Sequence, residues 1–280
     1  MSDLLATARD RLRPHVTDAT RVDRITVGDA AVLVELTDGE SSTAGLAHRP
    51  SGESLSTVES MPTADRSVES LLSAATAQAA GESTADRGRR ALAIATMNAL
   101  SAPLVDWRPG DPMALLSDDV ERIATVGLFT PAFRKFDGVE VRVIERERIE
   151  EVPDPDGVRV RAFTPDEAAA AMNDADVVFV TGSAFIYGGV EAYLDAAPAS
   201  ATVVVIGATA SFLPDPLFEA GVDVVAGATV TDADGVSAAL RQGACGTDLH
   251  DAGLRKVYTA RATPSGIRID ATDGAEDLTT

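Results

Sequence analysis

Three short stretches have residue types and spacing suited to holding a small ligand. Each places a glycine at the end of an apolar run, with hydroxyls or an aromatic ring near it: Gly127-Leu128-Phe129, Thr181-Gly182-Ser183 and Gly207-Ala208-Thr209. Glycine lets a ligand approach the backbone closely, and the threonine and serine hydroxyls can donate or accept hydrogen bonds. Glu145 ends the apolar run Val139 to Ile144, roughly 20 residues past the first glycine. A dinucleotide fold places its ribose-binding acid at that spacing. Glu145 is the one acid that can be placed on the same edge as the three turns, so it is the candidate for holding a cation or a ligand hydroxyl. An ordinary exposed strand-end carboxylate reads the same way. A plain turn is likewise the alternative for each glycine taken alone.

Other chemistries fit less well. The first turn reads G-L-F-T-P-A rather than G-x-G-x-x-G, and Pro131 has no N–H to offer a pyrophosphate, so a nicotinamide dinucleotide is not expected. His15, His48 and His250 are far apart and form no metal-ligand spacing with cysteine. Cys245 lies between small residues with no histidine partner in sight. Asp248, His250 and Asp251 are close together and read as a solvated loop, with a second site as the alternative. There is no nucleophile elbow and no Walker lysine.

The elements that must position these residues follow from hydrophobic periodicity. Ile123 to Val126, Val139 to Ile144, Val177 to Val180, Val203 to Ile206 and Val222 to Ala226 are short, β-branched and apolar, which predicts buried strands. Helical patterns and glycine turns alternate with them. The pattern predicts a parallel α/β sheet whose ligand crevice lies at the carboxyl ends of its strands. Thr164-Pro165-Asp166-Glu167 is a helix start, with an N-cap, proline in the first turn and acids beside it. The first part of the chain reads differently. A helical stripe from Leu4 to Leu12 precedes strands at Arg21 to Val27 and Ala31 to Leu36, a third strand at Ser41 to Ala47, and helices at Ser67 to Ala79 and Asp86 to Leu100. His48 to Asp65 and the crossover after Glu145 read as loops, and Ala262 to Thr280 as a polar tail with a short Ile267–Ile269 strand. Ala102 to Pro112, rich in proline and glycine, is the expected boundary.

Composition sets further limits. The 280 residues carry 44 acidic and 24 basic side chains, for a formal net charge of -20. Only Lys135 and Lys256 are lysines; every other basic residue is arginine. A phosphate-binding surface needs clustered cations, so nucleic acid is not an expected partner. Abundant carboxylates with little lysine suggest a halophile's protein, whose surface is screened by salt. No apolar run approaches a membrane span, no secretory signal is evident, and one cysteine excludes an intrachain disulfide. A cytoplasmic location is the expectation.

Three segments resemble a known family: VGLF at Val126 to Phe129 with the Glu145 strand end, DADVVFVTGSAFIYGGVEAYL from Asp174, and VVVIGATASFLPDPLFEAGVDVVAGATV from Val203. They are similar to the putative heavy-metal chelation proteins. The resemblance implies an enolase-N-terminal-like α+β domain over residues 1–112, a Rossmann-like domain over 113–260 and a polar tail over 261–280, with the site between the two domains. That site would bind a small anionic ligand, a metal ion or a metal chelate. Its floor would be Gly127, Glu145, Thr181, Gly182, Ser183, Gly207, Ala208 and Thr209, capped by Phe129. Its opposite wall would come from Thr43, Gly45 and Asn98. An enzyme acting on a nucleotide-like or other small substrate in the same cleft is the alternative, and an assembly module a third. A homodimer is compatible with any of them.

Overall fold

The computed structural model describes residues 3–50, 67–76 and 83–270. Helix α1 (Leu4–Leu12) starts where the Asp3 side chain accepts a hydrogen bond from the Ala6 N–H. It buries Leu4, Leu5, Ala8 and Leu12, the apolar stripe of the sequence. Strands β1 (Arg21–Val27), β2 (Ala31–Thr37) and β3 (Ser42–His48) form an antiparallel meander in the order β1-β2-β3. The β2–β3 turn closes on Asp38, whose carboxylate accepts from the Glu40 and Ser41 N–H groups and is held below the usual carboxylate range by those bonds. Helix α2 (Val68–Ser73) is capped by Ser67, and α3 (Thr84–Ser101) by a Ser83/Asp86 capping box.

Helix α3 is buried without interruption from Arg90 to Ser101, because it is covered by the meander on one side and the rest of the chain on the other. Gly45 of β3 lies directly under it. A Cβ at that position would sit 2.2 Å from the Ala95 carbonyl oxygen and 2.3 Å from the Ala99 nitrogen. Sequence reading leaves open whether the arginines of the first turn lie on the surface. Arg89 pairs with Asp86, but Arg90 is buried and donates to the Ile186 carbonyl at 2.9 Å.

The remaining elements build a doubly wound sheet. In chain order they are β4 (Arg108–Pro109), β5 (Arg122–Val126), α4 (Thr130–Phe133), β6 (Val139–Ile144), β7 (Val158–Phe163), α5 (Ala168–Met172), β8 (Val177–Thr181), α6 (Ala184–Tyr187), α7 (Val190–Ala196), β9 (Thr202–Ile206), α8 (Asp215–Glu219), β10 (Val224–Val230), α9 (Ala233–Arg241), α10 (Thr247–Asp251) and β11 (Leu254–Ala260). The eight strands lie in the order β4-β11-β10-β9-β8-β5-β6-β7. From β10 to β7 all pairings are parallel. Read in chain order, those six strands have the 3-2-1-4-5-6 arrangement of nucleotide-binding α/β folds. The fold is therefore α/β, a largely parallel sheet preceded by a smaller α+β meander unit.

The structure departs from the sequence reading at three places. The sheet is not wholly parallel: β11 runs back antiparallel against β10, with Leu254 opposite Val230, because α9 and α10 return the chain to the strand end it has just left. Strand β7 was hidden within the polar crossover. Its sequence, VRVRAF, alternates because it is an edge strand with Arg159 and Arg161 exposed. In the polar tail, the expected Ile267–Ile269 strand is reduced to a single bridge. Ile267 and Ile269 are buried in the core on one face of the sheet, and Ile267 bridges Leu116. The expected loop over 51–65, the end of the helix over 77–79, and the tail over 271–280 lie outside the described residues. His48 itself closes β3.

Candidate functional site

The strand order reverses between β5 and β8, and a crevice opens outside their carboxyl ends, where such folds bind ligands. Gly127 turns the chain with φ at +100°. Its N–H donates to the Ile144 carbonyl at 2.9 Å, and a Cβ there would come within 3.1 Å of Thr181 Cγ2. Thr181 Oγ1 lies 3.1 Å from Ser183 Oγ and accepts a long hydrogen bond from the Ser183 N–H at 3.4 Å. Glu145, half-buried, follows β6 and is anchored by its N–H to the Phe163 carbonyl. The crevice holds about 180 Å³, with Gly127, Phe129, Glu145, Arg146, Thr181 and Ser183 among its walls.

The crevice borders the seam with the meander. Arg146 stacks its guanidinium on Tyr187, 3.5 Å from the ring centroid, and Arg87 of α3 lies 5.6 Å from the same ring. The Tyr187 hydroxyl meets His48 Nε2 at 3.2 Å. Burial and, secondarily, the charge of Arg146 push the His48 imidazole below its ordinary value, so it is neutral at neutral pH. Burial also raises the Tyr193 phenol at the crevice wall, against the smaller opposing effect of Arg146.

A second hollow lies beside the crevice along the same sheet edge. It holds about 660 Å³ and shares Leu128 and Phe129 with the first. Gly207, with φ at +123°, and Ala208 form part of its floor, and Leu46 of the meander part of its roof. On its rim, Lys135 and Lys256 both donate to Asp111 Oδ2, at 2.6 and 2.7 Å. Burial alone would raise the Asp111 carboxyl, but the two lysines outweigh it and hold it below the usual range.

This architecture has counterparts among known proteins. Residues 111–259 match the family described as putative heavy-metal chelation, DUF364. The chain belongs to that family. Two crystal structures of DUF364 proteins of unknown function have the same fold. One, from Pyrococcus horikoshii, has a TM-score of 0.74 at 20% identity and covers 92% of this chain and 99% of its own. The other, from Desulfitobacterium hafniense DCB-2, has a TM-score of 0.66 at 15% identity, covering 91% and 98%. No curated protein matches the sequence.

Within this DUF364 chain, the residues singled out from sequence separate into four groups. Gly127, Phe129, Glu145, Thr181 and Ser183 meet at the crevice, whereas Gly207 and Ala208 line the larger hollow together with Phe129. Thr209, Asn98, Gly45 and Gly182 are packed inside. Thr209 Oγ1 accepts from the His48 N–H at 2.9 Å. Asn98 Nδ2 donates to the carbonyls of Leu46 at 2.7 Å and Ala208 at 3.0 Å. Its Oδ1 is buried without a partner. A Cβ on Gly182 would lie 2.8 Å from the Ala210 nitrogen, so that glycine serves the packing of two adjacent turns. Thr43 lines a different hollow with Asp38, Ser41 and Leu104. The groups that the meander unit brings beside the two hollows are instead His48, Arg87 and Leu46.

His250 lines the larger hollow, and its Nδ1 bonds the Leu254 carbonyl at 2.8 Å. Cys245 is exposed. Among the described residues, no three His, Cys, Asp or Glu side chains come together as a metal-binding set. Sequence reasoning missed Arg146, Tyr187, His48, Asp111 and the two lysines as site residues. The one available signal was the scarcity of lysine.

Proposed function

We propose that this protein binds a small anionic ligand, free or as a metal chelate, in the crevice at the reversal of strand order. One observation carries the reading: a carboxylate (Glu145), a guanidinium (Arg146) and two hydroxyls (Thr181, Ser183) face one hollow at the place where doubly wound folds take ligands. Arg146 would meet the anionic group, and Glu145 a ligand hydroxyl or a bound cation. The donors are oxygens, which suit hard cations. A soft heavy metal would therefore arrive already held by an organic chelator. The family description, putative heavy-metal chelation, agrees with that form of ligand.

The test is elemental analysis with native mass spectrometry on protein purified from its own host. It is repeated for Glu145→Gln and Ser183→Leu, the first removing charge and the second filling the crevice. Both variants should lose the co-purifying molecule while their circular dichroism stays that of the parent. Full occupancy in both would move the site elsewhere. Catalysis at the same crevice is the second reading, favoured by the neutral His48 bonded to Tyr187 at its border, an arrangement able to move a proton. Turnover of the co-purified molecule, abolished by His48→Gln, would support it.

A further inference from the structure

The larger hollow presents different chemistry. The chain's basic residues are arginines apart from two lysines, and both lysines reach the same carboxylate oxygen of Asp111. Two ammonium groups on one carboxylate leave the cluster with a net charge of about +1. Each ammonium has three donors and no acceptor, so Asp111 occupies one on each and leaves the others available. Asp111 is itself fixed, its Oδ1 accepting from the Met113 N–H at 3.2 Å, and its side chain is only 16% exposed. Arginine would grip such a carboxylate bidentately. Lysine makes a single-point contact and can turn its remaining donors towards a newcomer.

Behind this cluster the walls are largely apolar, including Leu46, Leu128, Phe129, Ile206, Leu249 and Val257. At about 660 Å³ the hollow lies within the usual size range of small-molecule sites. A net single positive charge beside an apolar chamber suits a monoanion with a hydrophobic body. A dianion such as phosphate would be left partly uncompensated, with Thr247 and His250 as the polar side chains of a wall that is otherwise mostly apolar. The geometry points to a second binding site here, for an aryl or branched aliphatic carboxylate, with Lys135 and Lys256 sharing the carboxylate and Asp111 holding the two ammonium groups together. This site shares Leu128 and Phe129 with the polar crevice but takes its charge from different groups, so it does not rest on the crevice reading.

The lysine count makes the test direct. Protein labelled with ¹³C and ¹⁵N only at lysine gives two side-chain signal sets, both from this site. They are followed by NMR during titration with benzoate, phenylacetate and 3-methylbutanoate, with benzamide as a neutral control and sodium chloride matched for ionic strength. At least one of the acids should shift both sets saturably, and benzamide should bind roughly tenfold more weakly or worse, because it lacks the charge. Lys135→Gln and Lys256→Gln should each weaken that acid by roughly tenfold, read on the remaining lysine. Shifts no larger than those from sodium chloride for all three acids would overturn the inference, and so would equal binding of acid and amide. Because the signals report only on these lysines, a negative result leaves the crevice reading untouched.

Discussion

Thr181 and Thr209 follow the same sequence rule, a hydroxyl beside a glycine at the end of a buried strand, yet they lie in opposite kinds of surroundings. Thr209 belongs to the seam between meander and large sheet. There its hydroxyl is taken by the His48 N–H, Asn98 bonds two backbone carbonyls, and Gly45 lets α3 rest on β3. Thr181 belongs to the open carboxyl edge, where its hydroxyl meets Ser183 and lines the crevice. The difference lies in what the rest of the chain packs opposite each strand end. At the seam, polar groups satisfy buried backbone and contribute to stability. At the edge they line an open hollow, the one to which the proposed ligand is assigned.

The largest effect on stability should come from Gly45. Gly45→Val should destabilise by about 3 kcal/mol, since even a Cβ overlaps the backbone of α3. Urea unfolding that shows less than about 1 kcal/mol would mean that the seam yields easily. Asn98→Ala comes next, at about 2 kcal/mol, because the Leu46 and Ala208 carbonyls lose their donor inside the protein.

His48 adds a pH-dependent effect to the seam. Its folded pKa lies below the unfolded value of about 6.5, so the unfolded chain binds more protons as the pH drops. The stabilisation is complete above that value and is lost as the pH falls from there towards the depressed folded pKa. His48→Gln should flatten melting curves recorded across this window, whereas an unchanged slope would show that the imidazole is not held neutral by the seam. The smallest stability effects should come from the edge. Thr181→Val and Ser183→Ala should each stay within about 0.5 kcal/mol of the parent while reducing occupancy of the crevice. If either destabilises as much as Asn98→Ala, the division between seam and edge fails.

Much of the fold is legible in the sequence because it rests on local pattern. Apolar β-branched runs ending at Gly127, Gly182 and Gly207 mark three strands of the large sheet, and Glu145 takes its place at the end of β6 by spacing alone. Strand β7 escapes because an edge strand alternates like a polar loop. The run Leu254 to Thr259 reads as a last strand or a helix edge, but its antiparallel direction escapes because direction is not a property of composition. The site is less legible. Sequence says that a buried Asn98 must be bonded but not to what. It gives no sign that His48 will meet Tyr187, or that Lys135 and Lys256 will converge on Asp111. Those meetings depend on long-range packing, which no short window of residues encodes.

The ends of the large sheet constrain how copies of the protein can associate. One end is β4, two residues long and finishing in Pro109, which has no N–H to offer a neighbouring chain. The other is β7, where the exposed side chains of Arg159 and Arg161 flank the open backbone and lean towards Glu140 of the next strand. A further strand laid against β7 would have to accommodate those cations, and one laid against β4 would find almost no ladder to join. Growth of the large sheet from molecule to molecule is thus disfavoured at both of its ends. A second copy joined elsewhere, whether through helices, loops or the meander, would leave the hydrogen-bond ladder of the large sheet unchanged.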